Sequence, residues 1–341
     1  MRRLRVLLLI HHYLVPPDDV SGIETDKAPW RTEYDVLKTL RDDLKHEVRV
    51  LGIADELTPI KQAAEEFKPH IVFNLLEAFH EVGTYDQNVV SYLELLRLPY
   101  TGCNPRGMIL ARDKALSKKL LQYHRISAPD FAVAYRRRKF KLPKRMTYPV
   151  IVKSLTQEAS IGISQASVVE DERRMLERIQ FIHDSIHTEA IVEQYIEGRE
   201  LYCAIVGNDR LQVFPVWEMF FQKMTDRQHR IATSRVKWSG SYQEKAGIMT
   251  GVAEPLTEGV QERIPAMCKR VYRALQLSGY ARIDMRTDAQ GRVWVIEANP
   301  NPQIAIGEDF ARSADMAGVH YPALIQRILR AGLRWEPEKN G

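Results

Sequence analysis

The stretch 280–302, YARIDMRTDAQGRVWVIEANPNP, constrains the fold more than any other part of the chain. Strand-forming residues flank a turn cluster at 288–291, so the stretch reads as a hairpin, alternating in its first arm and apolar in its second. Residues two apart on a strand share a face, which sets Glu297 and Asn299 on one side. With a four-residue tip at 288–291, Arg282 falls opposite Glu297 and Asp284 lies diagonal to it. Three oxygen donors and a guanidinium then converge. Such hard donors suit Mg2+, which keeps several waters and bridges to substrate phosphates. The same residues also fit a half-buried hairpin with a surface ion pair. Upstream segments bear on which reading holds.

At 341 residues the chain exceeds one typical core and predicts two or three domains. A net charge of +5 favours anionic small molecules without requiring nucleic acid. The apolar run 6–10 is too short to span a bilayer. Arg2, Arg3 and Arg5 precede it, but His11 and His12 cut it and no small-residue cleavage site follows, so it reads as a buried strand. No membrane partner is expected. Cys103, Cys203 and Cys268 are odd in number and widely spaced, with no CxxC pair. That pattern argues against a disulfide framework or zinc site and for a reducing cytoplasm.

Residues 1–112 alternate short apolar runs with helical spacing: LRVLLLI, a helix over 32–44, HEVRVLGI, PHIVFNLL, a helix over 88–96 and LPYTG. Strands alternating with helices predict a parallel sheet. Ligands collect at the C-terminal ends of such strands, where Glu77, His80 and Glu81 fall. A helix is expected from Asp113 to about His124. The run 136–145 carries seven positive charges with few aromatics between them and reads as a solvated loop, not a nucleic-acid patch. Strands are expected at 149–154, ending in Lys153, at 163–168, and on both sides of a bend at Gly198, with a helix over 171–184. Residues 218–252 show no clear period, and so long a connection is often functional. Helices are expected over 255–276 and Tyr321–Leu333, the latter with Pro322 in its first turn.

Lys153, at the end of a buried strand, suits a phosphate contact or a snorkelling lysine. Lys114, at a helix start, is equally ambiguous. The loop 156–163 has a single glycine, Gly162, and could cap phosphates with backbone N–H groups. In IVEQYIEGRE, a strand backbone offers adenine one donor and one acceptor, and Glu200 suits two ribose hydroxyls; two strands with a solvated acidic turn fit as well.

Several stretches together resemble the ATP-grasp superfamily, most closely its D-alanine–D-alanine ligase branch: LPYTGCNPRGMILARDKALSKKLL, YPVIVKSLTQEASIGIS, IVEQYIEGRELYCAIVGN, GYARIDMRTDAQGRVWVIEANPNP and AGVHYPALIQRIL. They keep the family's order and spacing over most of 70–330. The resemblance implies an α/β chain with three parts: an N-terminal parallel-sheet domain (1–112), a central lid (113–190) and a C-terminal nucleotide and metal domain (191–335). It implies that Lys114, Lys153 and Ser160 contact ATP phosphates and that Glu193, the backbone of Gln194 and Ile196, and Glu200 hold adenosine. Lys237 would approach the γ-phosphate. Asp284, Glu297 and Asn299 would bind two Mg2+ ions, with Mn2+ as the alternative, and Arg282 would stabilise a tetrahedral intermediate. The implied reaction is phosphorylation of a carboxylate followed by attack of an amine, both small molecules, in the cytoplasm; a homodimer is compatible with it.

The departures fall where the substrates would bind. The family's glycine-rich opening is replaced by HHYLVPPDD, and Glu24 and Glu33 both compete for its glutamate. A customary serine is Ala159, and a customary tyrosine is Trp238. The proline–glycine step after the metal ligands is Pro302–Gln303, and the serine that holds the second substrate's carboxylate aligns with Glu308, followed by Asp309. A carboxylate against a carboxylate is repelled. The expected substrate is therefore not D-alanine, with an amine or amide near Glu308 and Asp309. A non-catalytic nucleotide-binding protein is the alternative, which the complete set Lys153, Arg282, Asp284, Glu297 and Asn299 opposes.

Overall fold

The computed structural model describes residues 3–157, 162–224, 229–233, 236 and 240–336. Its strands, in chain order, are β1 (Arg5–His11), β2 (Glu47–Ile53), β3 (Ile71–Asn74), β4 (Phe131–Ala134), β5 (Val150–Ser154), β6 (Val168–Val169), β7 (Ala190–Gln194), β8 (Arg199–Val206), β9 (Gln212–Val213), β10 (Trp217–Phe221), β11 (Ile248–Val252), β12 (Tyr280–Thr287) and β13 (Val293–Pro300). The α-helices are α1 (Arg31–Lys38), α2 (Thr58–Phe67), α3 (Asp86–Leu95), α4 (Pro105–Arg112), α5 (Lys114–Tyr123), α6 (Glu172–Phe181), α7 (Gly240–Ala246), α8 (Val260–Ala274), α9 (Asp309–Met316) and α10 (Tyr321–Leu333).

Among the described residues the strands form three sheets. β2-β1-β3 is parallel, and the near-continuous apolar run of β1 is what a strand covered on both faces requires. β4-β7-β5-β6 and β11-β10-β8-β12-β13 are antiparallel, with β9 on β8. The first and third sheets share continuous cores: Val6, Leu8 and Ile10 of β1 pack with Ala204, Val206 and Tyr280 and with Leu324, Ile325 and Ile328 of α10. The middle sheet has a core of its own around Val150, Val152, Met175, Ile179 and Val192.

Several local expectations shift. LPYTG makes only one bridge, Tyr100 to Val72. The strand expected at 163–168 is a short turn of helix followed by β6. β7 begins at the boundary drawn near residue 190, yet its partners are β4 and β5, so the middle sheet extends to Gln194. Residues 218–252 contain the hairpin edge β10–β11, whose alternation was hidden by aromatics on both faces. The basic run 136–145 has its charged residues exposed, and the three cysteines are free and buried. Among the described residues no helix is long and apolar enough to cross a membrane.

Two glycines seat the third sheet. Gly198 (φ +141°) makes the bend into β8, where a Cβ would fall 2.0 Å from the Thr287 carbonyl oxygen. Gly279 (φ +70°) starts β12 against the backbone of Gly102, 2.3 Å from where its Cβ would be.

Candidate functional site

The β12–β13 hairpin carries two rows of side chains that run between two concavities. On β12, Tyr280, Arg282, Asp284 and Arg286 alternate onto one face, and on β13 Glu297 and Asn299 join them, with Asn301 just past the strand's end. Asp284 stands opposite Glu297, and Arg282 opposite Asn299. This register differs from the sequence expectation. Thr287 pairs with Val293, so the tip holds one more residue than expected, and a bulge at Ile296 adds another. Each slip alone would reverse the face of Glu297; together they restore the face and move it two positions along.

One end of the hairpin opens on a cleft lined by Lys153, Glu193, Gln194, Ile196, Glu200, Asp284 and Glu297, with Ile151, Tyr195 and Arg286 completing the walls. It lies between the middle sheet and the hairpin. Its floor is ionic. Glu193, 1% exposed, receives Lys153 Nζ at 3.0 Å on Oε2 and Lys118 Nζ at 3.5 Å on Oε1. Burial acts against the Glu193 charge, but the two lysines outweigh it and hold its pKa below the usual range. Burial likewise opposes the Lys153 ammonium, and Glu193 with Glu297 overrides it, raising its pKa. Burial wins at Lys118, which is lowered.

Lys118 also donates to the Ile296 carbonyl at 2.8 Å. The bulge turns that carbonyl toward α5, so one ammonium ties the helix to β7 and to the strand carrying Glu297. Lys114, at the first position of α5 after the capping Asp113, donates to the Gln157 carbonyl at 2.7 Å. Arg282 clasps Asp284 with two bonds, 2.7 and 2.8 Å, and lies over the Tyr202 ring. Burial disfavours its charge, and Asp284 more than compensates, so the guanidinium stays firmly protonated. Asn299 donates to Glu297 Oε1 at 3.5 Å. Glu200 accepts from the Tyr202 hydroxyl at 2.9 Å, and the Gln194 N–H already donates to the Asp130 carbonyl.

Among the described residues no three His, Cys, Asp or Glu side chains converge as a metal cage. The donors on the hairpin are two facing carboxylates and a carboxamide. That set fits Mg2+, which takes few protein oxygens and fills its octahedron with water and phosphate oxygens.

The other end of the hairpin, Tyr280 and Asn301, lines a smaller cavity with Glu33, Asn74, Glu77 and Gln303. From Tyr280 to Asp284 is four residues of strand, about 13 Å. Glu33, in the first turn of α1, is 5% exposed. Burial and, further, the charge of Glu77 push its pKa up to about 7, against a smaller opposing effect of its own N–H. The folded state therefore favours the protonated carboxyl. This contribution is fully present below pH 4.5 and is lost as the pH rises through about 7. Glu33→Gln mimics the neutral form and should be the more stable protein at pH 8 by on the order of 3 kcal/mol, the gap closing toward pH 4.5. Urea midpoints at the two pH values check this; a pH-independent difference refutes it.

Glu308 precedes α9 and is ion-paired with Arg31 at 3.3 Å, while Arg31 also bonds the Ile306 carbonyl and Asp35 accepts from the Ile306 N–H. Burial raises the Glu308 pKa, with Arg31 pulling it back. Asp309 accepts from Trp217 Nε1 at 3.0 Å and Thr250 Oγ1 at 2.5 Å. Both acids are thus engaged within the protein. Glu24 lies away, paired with Lys27 in an exposed turn. His80 and Glu81 line neither concavity. Ser160 and Lys237, like Ala159 and Trp238, lie outside the described residues.

Sequence reasoning missed Lys118, Arg286 and the place of Glu33. Lys118 sits four residues after Lys114, one helical turn along the same face. Arg286 continues the two-residue alternation of Arg282 and Asp284; it donates to the carbonyls of Gly198 and Arg230 and stacks on Tyr195.

Residues 116–330 match the family model described as the D-ala D-ala ligase C-terminus. A D-alanine–D-alanine ligase of Desulfotalea psychrophila is 29% identical over 349 residues, covering 99% of this chain and 98% of its own. The uncharacterized protein y4sG of Sinorhizobium fredii is 29% identical over 260 residues, 76% of this chain and 73% of its own. The crystal structure of the D-alanine–D-alanine ligase from Bacillus anthracis complexed with ATP superposes with a TM-score of 0.73 at 23% identity, covering 97% of this chain and 98% of that one.

Proposed function

Because the chain belongs to the D-alanine–D-alanine ligase family and has its ATP-grasp fold, we propose that it joins a carboxylate to an amine through an acyl phosphate. It is an ATP-dependent ligase. In the proposed course a carboxylate oxygen attacks the γ-phosphorus of ATP and ADP leaves. The amine then attacks the acyl carbon, and phosphate departs from the tetrahedral intermediate. A carboxylate is a poor acyl donor; phosphorylation supplies the leaving group.

The side chains divide the work. Lys114 and Lys153 hold phosphates, the latter kept charged by Glu193; Glu193, the backbone of Gln194 and Ile196, and Glu200 hold adenosine. Ser160 and Lys237 are assigned to the phosphates as well. Asp284, Glu297 and Asn299 would hold Mg2+, or Mn2+, whose charge neutralises the phosphates during transfer. Arg282, locked by Asp284, takes the oxyanion. The middle segment, with its separate core, acts as a lid that excludes water from the acyl phosphate. Glu77, Gln303 and Glu308 border the substrates. The reading includes three domains, a cytoplasmic location and a homodimer.

One observation supports this most: a single hairpin face leads from the cleft containing Lys153, past Asp284–Glu297 and Arg282–Asn299, to the cavity at Tyr280 and Asn301. An acid seated there would point along the strand toward the phosphates. The test is phosphate release from ATP and Mg2+ across D- and L-amino acids, dipeptides and hydroxy acids, with 18O in the carboxylate. An acyl phosphate carries one labelled oxygen into the released phosphate. Unlabelled phosphate alongside ligated product would refute this route.

Substrate choice is expected to differ from D-alanine, because the resemblance aligns Glu308 with the serine that receives the second substrate's carboxylate. Glu308→Ser removes that repulsion and releases Arg31. The kcat/KM ratio for amines bearing a free carboxylate over their amides should rise at least tenfold, because a desolvated like-charge contact costs several kcal/mol. Unchanged Michaelis constants and selectivity would remove Glu308 from the substrate site.

A further inference from the structure

Between the carboxylate assigned to the ribose and the guanidinium assigned to the oxyanion lies one aromatic side chain, Tyr202. It sits on β8 two residues from Glu200, which puts both on one sheet face. Its cross-strand neighbours are Asp284 on β12 and Trp217 on β10. The side chain is 2% exposed. Its hydroxyl donates to Glu200 Oε1 at 2.9 Å, and Arg282 Cζ stands 4.7 Å from the centroid of its ring. Burial, with the charges of Glu200 and Asp284, pushes the hydroxyl's pKa well up, so the group stays a donor.

Each contact removes a freedom that would blur the geometry of the reaction. A carboxylate bound at one oxygen keeps its rotamer. Glu200 lines the nucleotide cleft, so the bond to Oε1 fixes where Oε2 can meet a ribose hydroxyl. A planar guanidinium needs two constraints. Asp284 grips one edge of Arg282 through Nε and Nη2, and the plane can still tilt about that edge. The Tyr202 ring supports the plane from its face and leaves Nη1 to donate to an oxyanion. We propose that Tyr202 is a positioning residue with two separable parts: its hydroxyl sets Glu200 for the ribose, and its ring sets the plane of Arg282 for the tetrahedral intermediate. The ring's part rests on the ligase reading; the hydroxyl's part needs only the nucleotide cleft. An aliphatic side chain of similar size would fill the space and supply neither.

Two variants of the full chain separate the parts. Tyr202→Phe keeps the ring and removes the donor. Calorimetric titration with ATP, 2′-deoxyATP and 3′-deoxyATP, each with Mg2+, reads binding without an acid substrate. The parent should prefer ATP over at least one deoxynucleotide, and Tyr202→Phe should shrink that preference about fivefold, the scale of one hydrogen bond. Tyr202→Leu removes the ring as well. Its kcat for phosphate release should fall about 10–100-fold below that of Tyr202→Phe, short of the roughly 100–1,000-fold that loss of a whole oxyanion donor costs. Urea midpoints are measured beside the kinetics, and Tyr202→Met, which fills the space more fully, serves where Tyr202→Leu does not fold. If no acid supports phosphate release in the parent, the ligase reading fails and the ribose preference alone decides: narrowed in Tyr202→Phe, the hydroxyl's part stands. A parent indifferent to both deoxynucleotides, a preference that Tyr202→Phe leaves intact, or equal kcat in Tyr202→Phe and Tyr202→Leu overturns the inference.

Discussion

Glu297→Ala should lower turnover by about three orders of magnitude, the scale on which loss of a charge-stabilising group acts in acyl and phosphoryl transfer. Glu297 is half-buried on a strand, faces Asp284 and accepts from Asn299. Removing it halves the anionic donors of the pair and takes away one of the charges that raise the Lys153 pKa. The fold should survive. Its strand neighbours Val295 and Ala298 supply the buried contacts, and β13 keeps its whole ladder with β12. Steady-state kinetics over a wide Mg2+ range, beside urea unfolding, separate the two effects. Turnover within tenfold of the parent, with the midpoint unmoved, would remove Glu297 from the metal set.

Much of this arrangement can be read from the residues, and the exceptions share a physical cause. Alternation in 280–287 puts Arg282 and Asp284 on one face because strand geometry is local. Register is not local. It depends on how many residues the tip and the bulge absorb, and nothing in VWVIEANP marks Ile296 as the extra one. The bulge needs a receiver for its carbonyl, and the receiver, Lys118, lies 178 residues upstream. The acidic cavity was illegible for the same reason: Glu33, Glu77, Tyr280 and Gln303 converge only when the first and third sheets share their cores. Glu24 and Glu33 are indistinguishable as letters, and burial separates them. The bend at Gly198 is legible between two strands, but nothing in AIVEQ tells which sheet that strand joins; its ladders with β4 and β5 are set by Phe131–Ala134 and Val150–Ser154, far upstream.

Lys118 makes the second large expectation. Its side chain is 1% exposed and is held by Glu193 and by the Ile296 carbonyl. Lys118→Met keeps the stem's length and apolar packing while removing the charge and the donor. A buried ion pair broken from one side destabilises by about 3–5 kcal/mol, because the surviving charge stays desolvated. Here Glu193 retains Lys153 at 3.0 Å, so the loss should sit near the lower figure. The orphaned carbonyl adds the cost of one unsatisfied buried acceptor, about 1–3 kcal/mol. These two effects concern stability alone. The bulge adds a third, because it sets Asp284 opposite Glu297, and loosening it should weaken metal affinity by about 10–100-fold, as loss of a group supporting metal ligands does. The urea midpoint and the Mg2+ concentration for half-maximal turnover are therefore expected to move together. Lys118→Arg, which keeps charge and donors, should recover part of the midpoint. A Lys118→Met protein with lowered stability but unchanged Mg2+ dependence would make Lys118 a packing residue, and the bulge would owe its position to the strand ladder instead.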